Sequence, residues 1–251
     1  MINPVSVPHA IRRVRHEPRR RSLTVETVRL LTPRMKRIAL SGDMTGFESL
    51  GADDHIKLFF ETADGPAMRD FTPRAFDRAA GSLTIDFALH QAGPATQWAE
   101  RAKPGDRLEI GGPRGSAVIP DDFDWYWLIG DETALPAIGR FIEGLRPGAS
   151  VTSIVAIAGA AERQHFNTAS AWTALWAERG AADGDDAASL RALLDALPLP
   201  EGDGFIFVAA ESSVARAIRA RLLDRGHPKE WLKAAGYWLR GDAGAHERIE
   251  D

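Results

Sequence analysis

A small antiparallel β-barrel followed by a parallel-sheet α/β unit is the fold the sequence predicts, and three observations predict it. Hydrophobic residues recur with period two up to about residue 120. Beyond that point continuous apolar runs alternate with helical patterns. Gly, Pro and Asp punctuate the first half at short intervals.

In the first half, Leu83, Ile85, Phe87 and Leu89 share one face of an alternating run, as do Ile56, Leu58 and Phe60, with His55 and Lys57 opposite. Turn chemistry falls between such runs at Asp64-Gly65-Pro66, Gly81-Ser82, Pro104-Gly105-Asp106 and Gly111-Gly112-Pro113. In the second half, Trp125 to Gly130 is apolar throughout, as a strand buried on both faces must be. Leu135, Ile138, Ile142 and Leu145 then keep helical spacing, with Pro136 placed in the first turn. Val151 to Ala158 and Phe205 to Ala209 read as two more buried strands, and Ser212 as the cap of a helix carrying Val214, Ile218 and Leu222. The join falls near Arg114 to Asp122. The predicted division is a basic arm over 1–20, a barrel over 21–118 and an α/β domain over 119–251.

The 251 residues suit two ordinary domains, and 44% apolar with 26% charged residues suits a soluble core. A net charge of −4 gives no argument for nucleic acid or a membrane surface, and no apolar run has the length of a membrane span. The chain has no cysteine, which excludes disulfides, thiolate-held clusters and thiol redox centres. Electron transfer would then require a bound organic cofactor. Arg12, Arg13, Arg15, Arg19, Arg20 and Arg21 face one acid, Glu17, near the start. Charged residues follow Arg19-Arg20-Arg21 where an export signal needs an apolar stretch, so a cytoplasmic protein with a surface-lying basic arm is expected. The histidines outside the motifs show no metal-ligand spacing, and no metal site is expected.

Three segments carry chemistry. In Arg69-Asp70-Phe71-Thr72-Pro73-Arg74, extended alternation puts Arg69 and Phe71 on one face and Thr72 and Arg74 on the other. Forked guanidinium donors suit a diphosphate, an aromatic ring gives a stacking platform and a hydroxyl can donate to a heterocycle. A strand end with surface arginines explains the same six residues equally well. His90 to Ala99 turns at Gly93-Pro94 into a short helix whose first amides, with Thr96, form an anion site or merely a strand-to-helix turn. Gly130 to Ile138 lacks G-x-G-x-x-G but sets amides and Thr133 at the end of the first buried strand. After the next strand, Glu162 suits the ribose hydroxyls of NADH and Arg163 the 2′-phosphate of NADPH, leaving the nucleotide open.

These motifs, with Gly112-Pro113-Arg114-Gly115-Ser116, Ala209-Ala210-Glu211-Ser212-Ser213 and Gly236-Tyr237-Trp238-Leu239-Arg240-Gly241, resemble the siderophore-interacting protein family, from about residue 20 to the C-terminus and in order. The family's pattern carries Tyr where this chain has Phe71. The resemblance implies a ferredoxin-reductase-like architecture with a Greek-key-type FAD-binding barrel and a nicotinamide dinucleotide domain. It implies that Arg69 and Arg74 hold the FAD phosphates and ribityl chain, that Phe71 lies against the isoalloxazine and that Thr72 approaches its N5 edge. His90, Gly93 and the amides of Ala95 and Thr96 would complete the diphosphate site. Thr133 would help hold NAD(P)H, with Glu211 near the nicotinamide end. The implied partner is a ferric siderophore, met by Lys57, His246 and Arg248. A monomer is compatible with all of this. A same-fold reductase with free flavin, a quinone or a ferredoxin-type acceptor is the alternative, and a non-enzymatic siderophore- or flavin-binding module is a third.

Overall fold

The computed structural model describes residues 9–63, 65–89, 93–179, 186–241 and 247–249. Its first part contains β1 (Arg12–Arg15), β2 (Arg20–Thr32), β3 (Met35–Ser41), β4 (Ile56–Thr62), β5 (Gly65–Phe71), β6 (Pro73–Asp77), β7 (Ser82–Ala88), α1 (Pro94–Arg101), β8 (Arg107–Gly111) and β9 (Gly115–Val118). Seven of these strands form one curled antiparallel sheet in the order β5-β4-β8-β2-β3-β7-β6. Its edges, β5 and β6, are consecutive strands separated only by Thr72. Proline cannot donate to a ladder, so Pro73 suits a strand start. The residues with period two line the interior, where Leu23, Ile38, Leu58, Leu83, Ile85, Phe87 and Ile110 are almost wholly buried.

The second part contains β10 (Trp125–Gly130), α2 (Leu135–Gly144), β11 (Ser150–Ile157), β12 (Ala171–Glu178), α3 (Asp186–Ala196), β13 (Gly204–Glu211), α4 (Ser212–Asp224), β14 (Leu232–Trp238) and β15 (Glu247–Arg248). The sheet order is β12-β11-β10-β13-β14-β15, parallel except for β15. β10 and β13 are buried at every position, which is why they are continuous apolar runs. The order reverses between β10 and β13, the place where such sheets open a ligand crevice at their carboxyl ends.

One cap differs from expectation. Glu211, not Ser212, caps α4: its carboxylate accepts from the amides of Ser213 at 2.7 Å and Val214 at 3.2 Å. Ser212 is already helical and fully buried, and donates to the Trp238 carbonyl at 3.2 Å. The longer carboxylate reaches two orphan amides from the strand end, which a hydroxyl one residue later cannot do.

Polar ties hold barrel to sheet. Arg140 of α2 donates to Ser49 Oγ at 2.9 Å and to the Ser49 carbonyl at 3.0 Å. Lys233 of β14 pairs with Asp53 at 2.5 Å. The chain before the barrel is tied down as well, since β1 pairs antiparallel with β9 while its arginines stay exposed.

Upstream of β1, the His9 ring stacks on Phe123 at 4.1 Å and bonds Asp122 at 2.8 Å and Asp203 at 3.1 Å. Burial alone would lower its pKa, but the two carboxylates outweigh that and raise it above 6.5. The raised value means that the pairing stabilises fully below the unfolded pKa and fades as pH rises through the folded one. His9→Gln should therefore lower the melting temperature by about 2–4 °C at pH 5.5 and by clearly less at pH 8.5. Equal losses at both pH values would show that the ring acts through stacking alone.

Candidate functional site

On the barrel, the site grows from the β4–β5 ladder. Phe71 opposes Ile56 and Arg69 opposes Leu58, so Arg69 and Phe71 share the interior-facing side of β5. The Phe71 ring packs on Phe87 at 4.6 Å, Phe87 on Trp98 at 5.6 Å, and Trp98 on Phe60 at 6.0 Å. Trp98 belongs to α1, so this aromatic chain anchors the helix beside β4. Gly93 caps α1 without any side-chain hydrogen bond, and Pro94 opens it. The amides of Ala95 and Thr96 thus lie in the first turn, where a helix offers no acceptor of its own. Phe60, Glu61 and Thr62 face Pro94, Gln97, Trp98 and Arg101 across a cavity of about 420 Å³. A guanidinium, an aromatic face and an uncapped helix N-terminus on one side of a barrel are the donor set a diphosphate-bearing flavin requires, and FAD fits it.

Other residues expected around this site are held elsewhere. Arg74 is buried, donating to Glu143 of α2 at 2.6 Å and lying 3.7 Å from Asp86. Arg74 thereby joins barrel to sheet from the interior. The reason is local. Thr72 breaks the strand and the β6–β7 register shifts between Pro73 and Ala75, so alternation counted from Arg69 does not give the direction of Arg74. Lys57 pairs with Asp70 at 2.7 Å, which offsets its charge at the rim. His90 and His246 lie outside the described residues. Arg248 has its backbone opposite Ala235 in β15, and its side chain too lies outside what is described.

Thr72 is buried where barrel meets sheet, next to the Tyr237 hydroxyl. Burial, with the Asp53 carboxylate nearby, pushes that hydroxyl well above its ordinary pKa. Thr72 and Tyr237 come from opposite halves of the molecule and meet at their junction.

On the sheet, Asp131 organises the carboxyl ends of three strands. Its Oδ1 accepts from the Thr133 amide at 2.9 Å and hydroxyl at 2.5 Å. Its Oδ2 accepts from the Glu211 amide at 3.0 Å and from Trp238 Nε1 at 2.8 Å. Burial pushes this carboxyl up to about 6, against those bonds. Sequence reasoning passed over Asp131, although an Asp between a buried strand and a Thr two residues later is an N-cap signature. Thr133 sits at the crevice as expected, with its hydroxyl already given to Asp131. Glu211 is buried and engaged by three amides, those of Ser213, Val214 and Arg240, so here it shapes the strand end.

Glu162, expected near the nucleotide ribose, is engaged by the barrel. It is buried, and one oxygen accepts from Thr32 Oγ1 at 2.5 Å and from the Arg34 amide at 3.1 Å. It thereby ties the β2–β3 turn to the sheet. Arg163 is exposed and paired with Glu178.

An antiparallel barrel fixed to a parallel sheet defines a class of two-domain fold shared with a solved ferredoxin NADP+ reductase from Neisseria gonorrhoeae, with a TM-score of 0.64, and with the FAD/NAD-binding domain of a nitric oxide dioxygenase from Vibrio cholerae, with a TM-score of 0.65. Within that class the chain belongs to the siderophore-interacting protein family. Residues 24–66 and 61–117 match the model of the siderophore-interacting FAD-binding domain, and residues 123–241 that of the siderophore-interacting protein. The NADPH-dependent ferric-chelate reductase of Escherichia coli (strain K12) is 31% identical over 93% of this chain and 98% of its own length. The ferric vibriobactin reductase of Vibrio cholerae is 27% identical over 82% of this chain and 84% of its own. A siderophore utilization protein from T. fusca is 37% identical with a TM-score of 0.87, covering 96% of this chain and all of that one.

Proposed function

We propose that the protein is a flavoenzyme that carries electrons from NAD(P)H through FAD to ferric siderophores, releasing Fe(II). What supports this reading is that one chain carries two candidate dinucleotide sites, Arg69 with the α1 N-terminus on the barrel and the strand ends around Asp131 on the sheet, in halves tied by Arg140–Ser49 and Lys233–Asp53. A simple binding module has no use for two. Barrel residues 21–118 form the FAD domain and residues 119–251 the nicotinamide domain. Both halves lie in one chain, so a monomer suffices.

FAD held there would supply a centre able to take two electrons from the nicotinamide and release them singly to Fe(III). The chain's own part is to bind and orient. Arg69 and the amides of Ala95 and Thr96 would hold the diphosphate, Phe71 would support the ring and Thr72 would fix its reactive edge. Asp131, through Thr133 and Trp238, sets the strand ends that receive the nicotinamide. No acid or base from the protein is needed, and iron enters and leaves as part of the substrate. Among the described residues no helix is long and apolar enough to cross a membrane. We place the enzyme in the cytoplasm, where NAD(P)H is available.

Anaerobic stopped-flow spectroscopy tests the reading. The purified protein should carry FAD non-covalently, bleach on mixing with NADH or NADPH, and recolour on mixing with a ferric siderophore as a chelator traps Fe(II). Reduced protein that ignores every ferric siderophore yet is reoxidised by a quinone or free flavin would establish the other acceptor class.

A further inference from the structure

The carboxyl ends of β11 and β12 carry an exposed ion pair whose members suit opposite features of an adenosine ribose. Ile157 and Glu178 stand level with one another in the parallel register. Beyond β11 the chain makes a short 3-10 turn over Ala160–Glu162, and Arg163 comes back onto Glu178. Its Nη2 lies 2.5 Å and its Nε 3.1 Å from Glu178 Oε1. The Arg163 side chain is 53% exposed and that of Glu178 34%, so the pair sits on the rim of the sheet.

The acids and the arginine packed beneath the pair, Glu162, Glu132, Asp186 and Arg179, are already engaged. Glu162 is buried against Thr32 and the Arg34 amide. Arg179 bonds both oxygens of Asp186 at 2.9 Å and also pairs with Glu132, whose Oε1 accepts from the Ala158 amide at 2.8 Å. A ligand arriving at this rim therefore meets Arg163 and Glu178 rather than those buried groups. The rim also lies on the correct side. The crevice opens at the reversal between β10 and β13, and Asp131 organises the ends of β10, β13 and β14. A dinucleotide with its nicotinamide toward those ends extends its adenosine half over β11 and β12.

We propose that Glu178 determines the choice between NADH and NADPH, acting with Arg163 as one element. This rests on the reading of the protein as an NAD(P)H enzyme. The Glu178 carboxylate accepts from the ribose 2′-hydroxyl of NADH. Toward NADPH it acts twice, repelling the 2′-phosphate and occupying the guanidinium that would clamp it. Arg163 is thus a phosphate reader held in check by its partner, and removing either member shifts the preference in opposite directions.

The test compares wild type, Glu178→Gln and Arg163→Gln by anaerobic flavin reduction with each nucleotide. Glu178→Gln should raise the NADPH-to-NADH ratio of kcat/KM about tenfold or more, and Arg163→Gln should lower it about tenfold. Changes of that size follow from making or breaking one charge-assisted hydrogen bond to a phosphate. Calorimetry with adenosine 2′,5′-bisphosphate and with AMP gives a readout free of turnover. Glu178→Gln should tighten the bisphosphate, leave AMP no tighter, and lose its advantage as salt rises. Normal flavin reduction with a ratio changed by less than about twofold in both variants would overturn the assignment. If neither nucleotide reduces the flavin of any of the three proteins, the NAD(P)H reading falls and this proposal falls with it.

Discussion

Arg69→Ala should weaken FAD binding by about ten- to a hundredfold while leaving the apoprotein's melting temperature nearly unchanged. Arg69 stands level with Leu58 on β5 and two residues from Phe71, on the barrel that also carries the uncapped start of α1. A charge-assisted hydrogen bond to a phosphate is worth about 1.5–3 kcal/mol, which sets the size of the loss. The fold should tolerate the change, because Arg69 is only partly buried and its Nη1 donates to the neighbouring Met68 carbonyl. Arg74→Ala makes the contrast. Arg74 is buried and pairs with Glu143 across the junction, while Asp86 keeps both hydrogen bonds from Arg37, so its removal breaks a buried tie between the halves and should cost stability first. Titration of apoprotein with FAD, followed by fluorescence, measures the first effect, and thermal unfolding the second. Unchanged FAD affinity in a folded Arg69→Ala variant would move the diphosphate away from β5.

The contrast between these two arginines marks where the sequence stops being legible. Period-two alternation gives the face of a residue only while a strand continues, and Thr72 ends β5 between them. The barrel interior was readable because its strands are buried on one face, and β10 and β13 because they are buried on both. The edge strand β12 was not, since the residues of Ala171–Glu178 are mostly half-exposed and carry no clean apolar period. β14 was seen only as a motif around Tyr237 and Trp238, because its burial is intermediate along most of its length.

Contacts between the two halves were illegible for a different reason. Thr32 meets Glu162 across 130 residues, and Arg74 meets Glu143 across 69. Local pattern carries nothing about such distances. Glu162 and Glu211 therefore looked like ligand-facing acids, whereas folding had already supplied them with partners. Arg69, Phe71 and the Gly93–Thr96 turn sit on a strand and a helix start that local pattern alone predicts.

Asp131→Ala should be the most destabilising single change in the dinucleotide half. It removes the acceptor for the Thr133 amide, the Glu211 amide and the Trp238 indole at once, and Asp131 itself is only 1% exposed. Each stranded donor costs about 1–3 kcal/mol, so a total of roughly 3–5 kcal/mol is expected after some relaxation. Asp131→Asn should lose less but cannot be neutral, because whichever way its amide is turned, an NH2 group faces either Thr133 or the Glu211–Trp238 pair. The pH dependence separates this from a packing effect. With its pKa raised from 3.8 to about 6, the folded protein keeps a proton that the unfolded chain has released over that window. Its contribution to stability therefore falls as pH rises from about 4 to 6, by about 3 kcal/mol, and is flat above. Asparagine has no such titration. The stability gap between wild type and Asp131→Asn should accordingly be widest at about pH 4 and below and narrow until about pH 6, as chemical denaturation at a series of pH values would show. A gap that widened with pH would mean that Asp131 is held as a stabilised carboxylate, and that the bonds from Thr133, Glu211 and Trp238 outweigh its burial.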